Sequence, residues 1–223
     1  EALKRMSELA SILGKAEDAD FYRKRASLVR SAINALMLKQ GRYVDYPESG
    51  HTALHSLIFP LAFGIAPEAG RAELLRDFQS RGMACSVFAA QFLLEASYRN
   101  RLADHGLSLM TADSLRSWQN MLKKGATITM EAWDDSLKPN QDWNHAWGAA
   151  PANIIPRHLA GIQPLQPGFD LFLVDPQPGS LKSFALRHPT PHGAIFLQVE
   201  GKDLLLEVPA GSMALFKQQK LQP

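Results

Sequence analysis

A single cysteine, Cys85, occurs among 223 residues, so no intramolecular disulfide and no thiolate metal cage can form. It sits between Ala84 and Ser86 and reads as a small core residue, since no Cys/His signature makes it a nucleophile. No run of about 18 apolar residues occurs, so no membrane-spanning helix is expected. Neither sign of charge dominates: 24 Lys and Arg against 22 Asp and Glu leave +2. With no Lys/Arg stripe either, a nucleic-acid or membrane-surface partner is not expected. The longest basic cluster, Arg23-Lys24-Arg25, reads as a solvated helix face. A Gly-rich phosphate loop is missing, and Gly179-Ser180 lacks the elbow pattern of serine hydrolases. An initiator Met is missing too: Glu1 already falls inside a helical pattern, and the chain reads as a piece of something longer. Nothing fixes a compartment, and a periplasmic or secreted parent protein is compatible with the sequence.

What remains is ordinary globular composition, 46% hydrophobic and 21% charged, in two regimes. Up to about Gly161 the pattern is helical. Leu3, Met6, Leu9, Ile12 and Leu13 recur at spacings of three and four, and Gly14 follows as a stop. The same reasoning predicts helices over Ala16–Leu38, His51–Phe63, Pro67–Ser80, Ser86–Arg99, Arg101–Met110, Asp113–Lys124 and His145–Leu159. Pro67 is expected in a first turn and Gly64 just past a helix end. Beyond Gly161, short β-type runs alternate with Pro/Gly turns: Phe169–Val174, Ser183–Arg187, Ala194–Val199, Asp203–Val208 and Ser212–Lys217. That spacing predicts a small antiparallel β-sandwich, reached through a linker at Gly161–Gly168. The expected domains are residues 1–162 and 163–223. Helices in antiparallel pairs make a bundle, a solenoid or a toroid, and eight are too few to close a ring of twelve.

The region Trp118–Trp147 differs from the rest. It holds all four tryptophans (Trp118, Trp133, Trp143, Trp147), the carboxylates Glu131, Asp134, Asp135 and Asp142, and His145. A long loop, Gly125–Asp142, separates two expected helices, and loops of that length inside a domain are functional or disordered. Trp faces stack on the C–H faces of pyranose rings, while carboxylates bind hydroxyls and supply acid and base for breaking a glycosidic bond. The opposing reading, core tryptophans and solvated acids, has equal weight on composition alone. Alternation over Thr127–Trp133 puts Thr127, Thr129, Glu131 and Trp133 on one face, a carboxylate beside an indole. Apolar Trp and Met surface should raise the pKa of Glu131, which suits a general base. Adjacent Asp134 and Asp135 read as solvated, with one of them free to cap or orient.

The segment Gly125-Ala126-Thr127-Ile128-Thr129-Met130-Glu131-Ala132-Trp133-Asp134, followed by Asn144-His145-Ala146-Trp147-Gly148, resembles the C-terminal part of bacterial α-L-rhamnosidases of glycoside hydrolase family 78. Leu159-Ala160-Gly161-Ile162, Pro164, Pro167-Gly168-Phe169 and Pro176-Gln177-Pro178-Gly179 continue the resemblance. It implies the C-terminal half of an (α/α)6 toroid followed by a small β-sandwich. It implies an inverting glycosidase removing terminal α-L-rhamnose, without metal or cofactor, in which a glutamate base activates water. That base falls on Glu131, and the sugar-contacting histidine on His145; Asn144 and Trp133 join them as expected substrate-binding residues. The sequence departs from the family at Ala132, where Arg is usual, and in a shorter stretch between the glutamate and the histidine. The general acid lies upstream in the family, so the rest of the same polypeptide is the expected partner that supplies it.

Two other functions stay open at this point: another (α/α)6 glycosidase acting on a different sugar, and a protein that binds carbohydrate without cleaving it. Outside the loop, His51 and His55 stand four residues apart on an expected helix, but without the Glu of a zinc protease or a third ligand they read as packing or hydrogen-bonding residues. Tyr43, Asp45, Tyr46 and Glu48 read as a solvated turn that could line the same cleft, and His188 and His192 as turn residues.

Overall fold

The computed structural model describes residues 1–217; residues 218–223, the end of the expected second domain, lie outside the described residues. The chain divides into two compact units, Glu1–Gly82 and the remainder from Met83.

The first unit opens with a helical hairpin, α1 (Ala2–Ile12) and α2 (Ala16–Met37). Gly14 turns the chain at φ +69, and the Lys15 N–H returns to the Ala10 carbonyl at 2.8 Å, a left-handed closure that glycine makes without steric cost. Small residues let the helices approach: Ala10 and Ala19 are buried, and Ser7 Oγ donates to the Ala19 carbonyl at 2.8 Å. The apolar stripe read from periodicity is present but uncovered, with Leu9, Ile12, Leu13, Phe21 and Leu28 each more than half exposed. A two-stranded ribbon, β1 (Leu38–Lys39) with β2 (Arg42–Tyr43), leads to α3 (Leu54–Ala62) and α4 (Arg71–Ser80). Tyr43 is buried and donates to Asn34 Oδ1 at 2.5 Å, while the Asn34 amide donates to the Ile65 carbonyl at 3.0 Å.

Helix α3 starts at Leu54, three residues later than expected, because Asp45 takes over its entry. Asp45 Oδ1 accepts from the Ala53 N–H at 2.8 Å and from Ser56 Oγ at 2.5 Å, and Oδ2 lies 2.5 Å from His51 Nδ1. These bonds, from His51, Ser56 and Ala53, bring the Asp45 carboxyl down to about 2. His51 therefore stands outside the helix and faces Asp45, and the i, i+4 arrangement with His55 does not form. Gly64 does sit just past the end of α3, at φ +63, but Pro67 precedes α4 instead of opening it, since Gly70 in a left-handed conformation sets the start at Arg71.

In the second unit α5 (Val87–Arg99) is the central helix, capped by Ser86 accepting from the Ala89 N–H at 3.2 Å. It buries Val87, Ala89, Ala90, Leu93, Leu94, Ala96, Ser97 and Tyr98, a little over half of its circumference, while Phe88 and Arg99 mark the exposed side. α6 (Ala103–Met110) and α8 (Ala150–Ile154) pack against α5, with α7 (Trp118–Lys123) between them in the chain. The helix expected over Asp113–Lys124 shrinks to α7 because Ser117 caps it, accepting from the Asn120 N–H at 3.1 Å. The helix expected over His145–Leu159 breaks into a 3-10 turn at Ala146–Gly148, α8, and a wide π turn at Ile155–Leu159. Pro151 and Pro156 lack the N–H that an unbroken ladder needs.

Six strands follow: β3 (Ile162–Pro164), β4 (Leu171–Val174), β5 (Ser183–Thr190), β6 (Gly193–Glu200), β7 (Asp203–Glu207) and β8 (Met213–Phe216). They form two three-stranded sheets, β3-β4-β8 and β5-β6-β7. Inward residues of both sheets share one core: Ile162, Phe172 and Val174 meet Ile195, Leu197 and Val199. Two details differ from expectation. The linker stretch Gly161–Gly168 contains β3, and the sheets are not wholly antiparallel, because β4 and β8 run parallel.

Candidate active site

The loop between α7 and α8 starts where Gly125, at φ +84, ends α7, with the Ala126 N–H returning to the Met121 carbonyl at 3.0 Å. It has no regular strand, yet it pairs with itself. The Glu131 N–H donates to the Asp142 carbonyl and the His145 N–H to the Thr129 carbonyl, each at 2.9 Å. Thr129 Oγ1 adds a bond to the His145 carbonyl. This local antiparallel pairing brings Glu131, Asp142 and His145 onto one patch.

A polar framework fixes the rest of the loop. Asp134 is buried, 7% exposed, and accepts from Asn120 Nδ2 at 2.9 Å and from the Ser136 N–H at 2.9 Å. Lys124 Nζ bridges it to Asp135, at 3.1 and 2.9 Å. Bonds from Asn120 first, then Ser136 and Lys124, hold the Asp134 carboxyl well below the usual carboxylate range. Gln141 acts in both directions: Oε1 accepts from the Ala132 N–H and Nε2 donates to Asp135 Oδ1, both at 2.8 Å. Adjacent acids here are neither idle nor both solvated; Asp134 organises the turn, and Asp135 takes Lys124, Gln141 and the Trp143 indole N–H at 3.2 Å.

Glu131 is partly buried, its side chain 27% exposed, and both of its oxygens are engaged. Lys138 Nζ donates to Oε1, and the Asp142 N–H donates to Oε2 at 3.3 Å. The pKa of Glu131 is therefore lowered, by Lys138 first and the Asp142 N–H second, and not raised as the expected apolar setting required. The reason lies in Trp133. Alternation holds from Thr129 through Met130, which is fully buried, to Glu131, then slips by one residue, so that Trp133 joins Met130 in the core. Trp133 is 2% exposed, stands edge-on to Trp118 at 5.0 Å, and donates its indole N–H to the Cys85 carbonyl at 2.7 Å. The expectation that it offers a stacking face to a sugar is corrected: a ring placed this way carries the loop from beneath.

The exposed tryptophans are Trp143 and Trp147, 41% and 43% exposed. The His145 ring lies edge-on to Trp147 at 4.8 Å, and Trp147 in turn meets Phe88 at 5.6 Å. His145 Nε2 is 3.6 Å from Asp142 Oδ2, and Asn144 is exposed on the same turn. Glu131, Asp142 and His145 bring one ligand atom each within 4.8 Å of one another, which is metal-like spacing, but the Lys138 ammonium already sits on Glu131. An apolar groove of about 490 Å³ lies elsewhere on the loop, lined by Met110, Trp118, Met121, Ile128 and Pro151 among others. Neither Glu131 nor His145 borders it, so the polar patch is separate from it.

Residues 1–159 match the bacterial alpha-L-rhamnosidase 6 hairpin glycosidase domain, and residues 161–217 match the bacterial alpha-L-rhamnosidase C-terminal domain. The chain belongs to the bacterial α-L-rhamnosidase family. It carries helices of the six-hairpin glycosidase domain followed by the small β-rich domain. Solved rhamnosidases share the fold. The α-L-rhamnosidase from Dictyoglumus thermophilum superposes over 99% of this chain with a TM-score of 0.85 at 22% identity, and this chain covers 26% of it. The GH78 rhamnosidase of Bacillus sp. GL1 superposes over 97% with a TM-score of 0.78 at 24% identity, with 25% of that chain covered. The Streptomyces avermitilis α-L-rhamnosidase complexed with L-rhamnose superposes over 94% with a TM-score of 0.76 at 20% identity, with 22% covered. The chain thus spans about a quarter of the length of the rhamnosidases it matches. Direct sequence comparison with curated proteins gives no match.

Within this rhamnosidase fold the structure brings Glu131, His145 and Asn144 to one region and sends Trp133 beneath it. Lys138 was not foreseen from the sequence. It lies seven residues from Glu131 in an aperiodic loop, so no helix or strand spacing links the two. Lys124 and Gln141 escaped for the same reason.

Proposed function

We propose that this chain supplies the general-base half of an inverting α-L-rhamnosidase active site, with Glu131 as the base. The observation that carries the reading is the state of Glu131: partly buried, held ionised, with both oxygens oriented, at the centre of a loop built around it. In the reaction, Glu131 takes a proton from water as the water oxygen bonds the anomeric carbon. The glycosidic C–O bond breaks, and its oxygen takes a proton from a carboxylic acid on the opposite face of the sugar. Inversion needs that acid about 6.5–9.5 Å from the base, leaving room for the water. Asp142 brings a carboxylate oxygen within 4.8 Å of Glu131 and is too close for that role. The acid then comes from another stretch of the whole polypeptide, the partner that completes the site. His145 and Asn144 bind the sugar hydroxyls beside Glu131. The Streptomyces avermitilis enzyme, solved in complex with L-rhamnose, supports rhamnose as that sugar. Residues 1–162 would then form the helical catalytic part and 163–223 the β-domain.

The test is Glu131→Gln in the whole polypeptide, assayed on an aryl α-L-rhamnoside. A general base contributes roughly 10²–10⁴-fold, so kcat should fall by that factor with the fold intact. Turnover near that of the unaltered enzyme would overturn the assignment. Proton NMR of the first-formed sugar should show the β anomer; initial release of the α anomer would overturn inversion.

A further inference from the structure

Lys138 and Glu131 form an ion pair inside the loop, and its setting is specific. The Lys138 ammonium sits on Oε1 of Glu131, and its backbone N–H donates to the Asp134 carbonyl at 3.3 Å. Asp134 is itself the buried anchor of the turn, tied to Asn120, Ser136 and Lys124. The same turn that fixes the loop thus sets the backbone of Lys138, and its side chain, 40% exposed, reaches Glu131 from there. On the other oxygen the Asp142 N–H, at 3.3 Å, sets the second coordinate of the carboxylate plane. One cation and one amide hold a carboxylate whose neighbours, Asp142 and His145, are the other titratable groups that face it. The remaining charges of the loop, Asp134, Asp135 and Lys124, are satisfied among themselves.

We infer that Lys138 is a positioning residue for Glu131: it fixes the carboxylate so that one oxygen lone pair is left to receive the water proton. The inference rests on Glu131 being the base. A second consequence follows from charge. The ammonium favours the ionised carboxylate, in line with the lowered pKa of Glu131, so the base stays deprotonated at pH values where an ordinary glutamate would begin to protonate. Lysine suits this better than arginine at an unhindered site, because its charge is compact and needs no second oxygen to make a fork. Oε2 is already taken by the Asp142 amide, so a bidentate guanidinium would have to displace it.

The experiment compares Lys138→Met, Lys138→Arg, Glu131→Gln and the Lys138→Met/Glu131→Gln double variant in the whole polypeptide, on an aryl α-L-rhamnoside, with thermal melting as a check of folding. Lys138→Met should lower kcat at least tenfold and move the acid limb of the kcat/KM pH profile upward, since losing the neighbouring cation favours the protonated carboxyl. Lys138→Arg should restore the position of the acid limb but only part of kcat. In the double variant the lysine change should add nothing to the loss from Glu131→Gln. If Glu131→Gln abolishes turnover while Lys138→Met leaves kcat within twofold and the acid limb unmoved, the positioning role falls and the base assignment stands. If Glu131→Gln retains turnover, the base assignment falls and takes the role of Lys138 with it. Should Lys138→Met melt early, Lys138→Arg decides: an acid limb shifted as far as in a charge-free variant such as Lys138→Gln overturns the inference.

Discussion

Trp133 stands edge-on to Trp118, ring centroids 5.0 Å apart and planes at 87°. Each indole N–H is spent on a backbone carbonyl, Trp133 on Cys85 at 2.7 Å and Trp118 on Gly148 at 2.8 Å. The pair ties the loop to the start of α5 on one side and to the turn after His145 on the other. Tryptophan supplies both the buried ring and the polar tip that such a tie needs.

Trp133→Phe keeps most of the ring volume but removes the N–H, leaving the Cys85 carbonyl buried without its donor. That should cost about 1–3 kcal/mol. Urea denaturation of the whole polypeptide, followed by fluorescence, measures it. A variant as stable as the parent would mean that the Cys85 carbonyl finds another donor and that the tie is dispensable.

His145 is held by its backbone N–H on Thr129 and by its ring against Trp147, which leaves the imidazole beside Glu131. If it binds a sugar hydroxyl, His145→Ala should lower kcat/KM roughly tenfold, the value of one good hydrogen bond. Most of the loss should appear as a higher KM. A KM unchanged within twofold would remove His145 from the sugar site.

Glu95 on α5 gives the helical part of the second unit a pH dependence. It is 12% exposed and takes Arg99 at 2.9 Å and Arg157 at 2.9 Å, with His158 at 3.7 Å. Burial by itself would raise its pKa; His158, Arg157 and Arg99 together bring it down to about 2, from 4.5. A depressed carboxyl stabilises the fold above its unfolded pKa and loses that contribution as pH falls through the folded value. The loss should therefore run from about pH 4.5 down to about pH 2 and amount to roughly 3 kcal/mol. Glu95→Gln should melt earlier than the parent at pH 7 and by a smaller margin near pH 3. Parallel melting curves across that range would show that Glu95 carries none of the acid sensitivity.

The helices and strands were legible because their signals are periodic. The spacing of Leu3, Met6 and Leu9 marks α1, and the alternation that turns Ile195, Leu197 and Val199 inward marks β6. Glu131 and His145 were singled out for a different reason: they lie in ordered motifs that resemble a known family. What escaped was set by contacts between aperiodic residues. The delayed start of α3 depends on Asp45 reaching Ala53 and Ser56. The slip that buries Trp133 depends on its edge-on packing against Trp118. The parallel pairing of β4 with β8 joins segments some forty residues apart, which local patterns cannot register. Lys138 belongs to the same class, since only the folded turn brings it to Glu131.

Gly161 stands where the last helical turn passes into β3, and the sequence marked it as the boundary between the two regimes and as part of a motif. Its φ is +72, and an added Cβ would lie 2.1 Å from both the carbonyl carbon and the oxygen of Asp175. These are backbone atoms that cannot swing aside. The Asp175 N–H donates to the Gly161 carbonyl at 3.0 Å, and the Asp175 carboxylate is gripped by Arg101 through bonds of 3.0 and 2.7 Å. The two strands of chain are thus clamped at the point where the side chain would enter. Gly161→Ala should cost more than about 4 kcal/mol or prevent folding, as left-handed strain and a backbone clash combine. Gly201, in the turn between β6 and β7, is the control: its φ is +60, but a Cβ there meets nothing within 4 Å. Gly201→Ala should cost only the strain, about 1–2 kcal/mol. Thermal melting of both variants in the whole polypeptide separates the two contributions. Equal losses would mean that the clash at Asp175 is relieved and that φ alone explains the glycine.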